Sequence, residues 1–369
     1  MRIIDLGPNW YAPVMGTAIV ANGAHALPAR VPVLDAAAVA MWALSALLLA
    51  AVMAARAVHL ARHRDVAADR LRRDPAAAVF YGCPPMALLA VGAATLAVGA
   101  DVVGTRAAVA AALALWTAGT LYALAVAAGV PYLMMTRHEL RRGTADPTWL
   151  LPLVAPMVAA ATGPALVPHL PPGQPRLTLL YGCHALFGAS LLATLAMLPI
   201  VWSRLLHDRL APAALTPTLF LVLGPLGQST TAAGQIADAA SGPHAAAMRA
   251  FAVLYGVPVM GFALLWLAIA AALNVRARRA GMGFAMTWWS FTFPVGTCVT
   301  GAAVLARDTG LAVLGAAAVA LWLLLAAAWT AAAAGTLRLL ATAERTGANG
   351  NGTVANGSRR GTMLADVPR

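Results

Sequence analysis

Side chains able to do chemistry are scarce in this chain and are kept out of its apolar stretches. Only 13 of 369 residues are acidic, and all of them, from Asp5 to Asp366, fall between apolar stretches, in the terminal segments, or at a stretch's end as Asp101 and Asp238 do. Cys83, Cys183 and Cys298 stand singly in apolar context, without CxxC or metal-ligand spacing, so they read as packing residues. Of eight histidines only His184 lies well inside an apolar stretch. No cluster of this kind supports acid–base or metal chemistry, and no cofactor is implied. The lack of a carboxylate in the apolar segments also weighs against a carrier with a dedicated proton relay and against cation selectivity. What the apolar stretches do contain is small and neutral: Thr17, Thr162, Ser229, Thr230, Thr297 and Thr300, with Gln228 and Thr231 beside them. Such groups allow helices to pack closely, and together they also suit a narrow polar passage.

Each of these residues lies a short way beyond a proline. Pro13, Pro85, Pro156, Pro225 and Pro294 follow one another at intervals of 72, 71, 69 and 69 residues, the signature of an internal repeat. Proline within a helix removes a backbone hydrogen bond and crowds the preceding turn. In lipid it survives where protein groups or a wet cavity satisfy the freed backbone. Five kinked helices around something wet is the arrangement the spacing predicts. A helix amino terminus at such a kink can present N–H dipoles to an anion, while the freed carbonyl would favour a cation, so proline alone does not give the sign of the ion.

The elements that must carry these residues are transmembrane helices. The chain is 61% apolar and 10% charged with a mean hydropathy of +0.77, a composition foreign to soluble domains. Apolar runs of about 20 residues or more fall at 10 to 28, 33 to 55, 79 to 99, 107 to 133, 147 to 168, 177 to 202, 213 to 236, 246 to 273, 284 to 305 and 311 to 337. The five prolines sit in the odd members, so the repeating unit is a helical hairpin. The expected fold is all-α and polytopic: ten helices as five hairpins in quasi-fivefold arrangement, the odd ones Pro-kinked around a central pore. His184, on an even helix, is expected to be packed rather than to act in transport. Residues 1–345 form this transport domain, and 346–369, rich in Gly, Asn and small polar residues, read as a disordered cytoplasmic tail.

All 25 basic residues are arginine, and 20 of them fall on one side of this topology against 5 on the other. Short Arg-rich loops stay cytoplasmic, so both termini are expected in the cytoplasm. The net charge of +12 is then topological and not a sign of nucleic-acid binding. The first span carries Pro13 and belongs to the repeat, so it is expected to be retained as a helix and not cleaved as a signal peptide.

Four motifs identify a family. PNWYAPVMGTAIVA from Pro8 resembles the first helix of the tellurite-resistance/dicarboxylate transporter family. LLPLVAPMVAAATGP from Leu150, LGPLGQSTTAA from Leu223 and TWWSFTFPVGT from Thr287 resemble its fifth, seventh and ninth helices. That family includes bacterial tellurite-resistance channels, malate permeases, sulfite efflux pumps and plant guard-cell slow anion channels. The third helix, YGCPPMALLAVGAAT from Tyr81, matches more loosely, and Ala18 stands where glycine is usual, which bears on helix contact or pore width. The resemblance implies odd helices lining a pore, a homotrimer with one pore per subunit, and a phenylalanine plug on the ninth helix. The matching residue is Phe293, with Phe291 as second choice.

The resulting expectation is a bacterial inner-membrane channel or transporter for small anions: a C4-dicarboxylate, sulfite, a tellurite-related oxyanion, chloride or nitrate. A proton-coupled malate or C4-dicarboxylate carrier on the same scaffold is the alternative. A membrane-embedded enzyme or receptor-like scaffold is a third reading, for which the clustered His, Asp or Glu are missing.

Overall fold

The computed structural model describes residues 7–28, 31–141, 143–208 and 212–352. Arg2, Arg30, Arg142, Arg209 and the tail from 353 onward, with Arg359, Arg360 and Arg369, lie outside the described residues. Ten long helices run through the described residues: α1 (Tyr11–Ala26), α2 (Pro32–Arg73), α3 (Pro75–Val103), α4 (Thr105–Thr136), α5 (Pro147–His169), α6 (Gln174–His207), α7 (Leu223–Ala239), α8 (Ala245–Arg279), α9 (Met286–Thr309) and α10 (Ala312–Gly352). Eight are long and apolar enough to cross a membrane. The other two, α1 and α7, have only 16 and 17 α-helical residues, but each is entered through a 3-10 segment, Pro8–Trp10 and Ala213–Val222. At about 2.0 Å per 3-10 residue and about 1.5 Å per α residue, both reach the roughly 30 Å of a hydrocarbon core.

The 3-10 segments also explain the repeating prolines. Pro13, Pro85 and Pro225 are each the third residue of an α-helical segment, and Pro294 the second, just after 3-10 turns that end at Trp10, Gly82, Val222 and Phe291. A missing N–H costs little in a first turn, where it would have no intrahelical partner. Four of the five prolines therefore open an α-helical segment where 3-10 geometry ends and do not bend a continuous helix. Pro156 alone is interior, within Leu150–Thr162. Nor is proline confined to odd helices: Pro131, Pro199 and Pro258 lie inside α4, α6 and α8.

The odd helices close a ring, each packed on the next in the order α1, α3, α5, α7, α9 and back to α1. The even helices stand outside and bridge neighbouring odd ones: α2 on α1 and α3, α4 on α3 and α5, α6 on α5 and α7, α8 on α7 and α9, α10 on α9 and α1. Burial follows: the apolar window of α5 is 89% buried, that of α6 28%. Leu47, Leu121, Leu192, Leu254 and Leu323 project outward from the even helices, as side chains that meet lipid do.

The ring is tight because small residues let backbones approach. A Cβ on Gly227 of α7 would lie 2.5 Å from the backbone nitrogen of Cys298 on α9. Two segments depart from the sequence expectation, one of them α10, which runs on to Gly352 where a disordered tail was expected from residue 346. The Arg-rich stretch after the second span is not a loop but a continuation of α2 to Arg73, broken at His63 (φ −139°, ψ 35°). Its Ala, Leu and Arg residues are strong helix formers, and Arg73 pairs with Asp69 one turn back at 2.7 Å. Hydropathy marks where lipid ends, not where a helix does.

Candidate functional site

All five odd helices contribute to one central cavity of about 520 Å³. It runs toward their carboxyl-terminal ends, lined by Ile19, Asn22 and His25 from α1, Ala90 to Ala100 from α3, Val158 to His169 from α5, Gln228, Thr231 and Gln235 from α7, and Phe293, Thr300 and Arg307 from α9, with Thr105 at the start of α4 beside them. A second cavity of about 100 Å³ lies toward the amino-terminal ends of the same helices, lined by Met15, Cys83, Leu151, Leu221 and Ser290 among others. The two share no lining residue. The gap between them is bounded by Met15 and Ile19 on α1, Leu151 and Val158 on α5, Leu221 and Gln228 on α7, and Ser290 and Phe293 on α9. That separates them by one to two helical turns, roughly 5–10 Å along the helices at about 1.5 Å per residue. Gln228 and Phe293 form part of the floor of the larger cavity, each the innermost lining residue on its helix.

Phe293 is 3% exposed. Phe291 does not line either cavity. Its ring packs edge to face on Phe220, with centroids 4.8 Å apart, and on Trp288 at 5.7 Å. The two phenylalanines are two positions apart on α9 and so point to different sides.

The neutral residues divide in the same way. Thr162 and Thr300 line the cavity. Thr17 does not: it is fully buried, donates to the Pro13 carbonyl at 2.8 Å and accepts from Trp329 Nε1 of α10 at 2.9 Å. Ser229 and Thr230 donate back to the Leu226 carbonyl, and Thr230 packs at Gly256 of α8. Thr297 sits in the α7–α9 contact, donating to Pro294 O at 2.7 Å and to Leu223 O at 3.3 Å. A polar residue on an inner helix can thus face a neighbour as readily as the axis. Ala18 is fully buried and outside the cavity; His184, half-buried on α6 beside Tyr181, is outside it too.

The polar lining residues that the sequence did not single out are Asn22, His25, Thr105, His169, Gln235 and Arg307, whereas Gln228 and Thr231 stood beside the selected hydroxyls. Their signal was a helical period. Gln228, Thr231 and Gln235 are spaced by three and four, and Phe293, Thr300 and Arg307 by seven, each set a single face.

None of the lining residues is acidic, and the cavity's permanent charge is the Arg307 guanidinium. It sits at the carboxyl-terminal end of α9, bonded to Asp238 of α7 and 3.5 Å from Asp308. Deeper in, Thr231 and Thr300 share a 2.7 Å hydrogen bond across the α7–α9 contact. The chemistry on offer is that of a compartment walled by small apolar side chains and neutral polar groups, with an ion-paired arginine at its mouth and an aromatic floor.

Comparison with known proteins agrees with this arrangement. A family model described as voltage-dependent anion channel matches residues 5–337. Sulfite efflux pumps of Arthroderma otae and Trichophyton rubrum are each 27% identical over 321 residues, covering 84% of this chain and 84% of theirs. An uncharacterized transporter of Methanocaldococcus jannaschii is 26% identical over 293 residues, covering 79% of this chain and 81% of its own. The family is described as a channel and these relatives as pumps and a transporter, and the helix motifs had pointed to the same group. With its ten-helix ring matched from residue 5 to residue 337, the chain belongs to the voltage-dependent anion channel family.

Proposed function

We propose that the chain conducts small anions along the ring axis, and that Phe293 is the barrier that closes the path. The observation that carries this reading is the floor of the large cavity. A route lined by all five inner helices, without an acidic residue, stops at a buried aromatic ring. A phenyl ring offers a partly dehydrated anion no strong hydrogen bond, and it keeps water out, so it closes a narrow passage both sterically and by dewetting.

Sulfite is the substrate this reading favours, because the relatives named for sulfite efflux align over most of both chains. Chloride, nitrate, a C4-dicarboxylate or a tellurite-related oxyanion are the further candidates. We place the protein in a bacterial inner membrane with both termini cytoplasmic, so that the large cavity opens outward, and assign it a homotrimer with one path per subunit and no catalytic activity.

Reconstitution tests the proposal. Proteoliposomes carrying Phe293→Ala should release anions much faster than those carrying the unaltered protein. A reversal potential that stays fixed when a pH gradient is imposed marks a channel. One that moves with the pH gradient marks the proton-coupled carrier instead.

A further inference from the structure

Gln228 is the one amide at the cavity floor. It is 4% exposed, it lines the cavity at the depth of Phe293, and its Oε1 is buried without a hydrogen-bond partner. A buried acceptor left unpaired is unfavourable, and where a native fold keeps one it needs a reason. The neighbouring hydroxyls sharpen the point. Thr162 donates to Val158 O at 2.8 Å, Thr300 to Thr297 O at 3.0 Å, and Thr231 to Gly227 O at 3.0 Å. Thr231 and Thr300 also share a 2.7 Å hydrogen bond, so one of their protons serves the other hydroxyl, and the protons of all three threonines are taken up within the protein. Asn22, one turn beyond Ile19, likewise gives its Nδ2 to Ala90 O at 3.0 Å. The lower cavity therefore offers few free donors, while Arg307 lies 14 positions beyond Phe293 and the two imidazoles, His25 and His169, sit near the far ends of α1 and α5.

A bare halide finds few free donors in such a place. An oxyanion that carries a proton is suited to it, because its O–H can donate to an acceptor while its charged oxygens accept from the Gln228 Nε2 amide. Resting on the reading of this cavity as the anion path, we propose that Gln228 forms a selectivity site for singly protonated oxyanions such as hydrogensulfite, Oε1 taking the ligand's O–H and Nε2 donating to its charged end.

A matched pair of probes tests this in Phe293→Ala proteoliposomes at a mildly acidic pH, where sulfite is mostly hydrogensulfite. Methanesulfinate has the same charge and nearly the same shape, with methyl in place of hydroxyl. Hydrogensulfite should permeate about tenfold better than methanesulfinate, the worth of one hydrogen bond to a charged partner. Gln228→Met, which keeps the length of the side chain and loses its amide, should bring the ratio close to one. Equal permeation of the two probes before Gln228 is altered, a comparison that needs no second variant, overturns the proposal. So does a ratio that survives Gln228→Met. Failure of both anions to permeate would remove the conduction path itself, and the selectivity site with it.

Discussion

Phe291 and Phe220 meet edge to face, their ring planes at 80° and their centroids 4.8 Å apart, which ties the start of α9 to the 3-10 entry of α7. That contact turns Phe291 away from the axis and leaves Phe293 as the aromatic residue of α9 on the cavity floor. The consequence is a division of labour between two residues two positions apart. Phe291→Ala should lower stability by about 3 kcal/mol, as loss of a packed ring does, without raising anion flux. Phe293→Ala should raise flux strongly, and Phe293→Leu less. Thermal unfolding in detergent and efflux from liposomes read the two effects separately, and an open pore in Phe291→Ala would reverse the assignment.

Gly227 provides a test of the ring itself. An added methyl would lie 2.5 Å from backbone atoms of Thr297 and Cys298, and backbone cannot move aside as a flexible side chain can. Gly227→Ala should cost about 1–3 kcal/mol, and Gly227→Val more. A Gly227→Val protein as stable as the unaltered one would mean that α7 and α9 do not pack as described.

Much of the fold was legible because the membrane permits few solutions. A period of about 70 residues, marked by Pro13, Pro85, Pro156, Pro225 and Pro294, was enough to give hairpins with alternating roles. What those prolines do was not legible, since 3-10 and α segments share apolar composition and nothing in PLGQS or PVGTC announces that the proline opens an α segment. The site was legible only in part. Thr17 and Thr300 are both hydroxyls on inner helices near a proline, yet Thr17 accepts from Trp329 of α10 while Thr300 meets the cavity. Facing depends on helix rotation within the ring, which composition does not encode. The periodic faces Gln228–Thr231–Gln235 and Phe293–Thr300–Arg307 do encode it.

That difference in facing gives a paired prediction. Thr17→Val removes the acceptor for Trp329 and should cost about 1 kcal/mol of stability with anion selectivity unaltered. Thr300→Val removes a hydroxyl from the cavity wall and breaks the bond to Thr231, so in a Phe293→Ala background it should change relative anion permeabilities. If instead Thr17→Val shifts selectivity and Thr300→Val does not, the rotation of α1 and α9 is misjudged.

Orientation follows from arginine placement. In a cysteine-free background, single cysteines at positions 62 and 141 should be protected from a membrane-impermeant maleimide added outside intact cells. Cysteines at positions 106 and 307 should react. Outside labelling of position 62 inverts the topology and turns the large cavity toward the cytoplasm.

The central claim is that the path through the five inner helices carries anions and is closed at Phe293. The most direct measurement is the reversal potential of Phe293→Ala channels in a planar bilayer under a potassium chloride gradient. A potential close to the chloride equilibrium value is expected, with little current from the unaltered protein under the same gradient. A potential close to the potassium equilibrium value would contradict it.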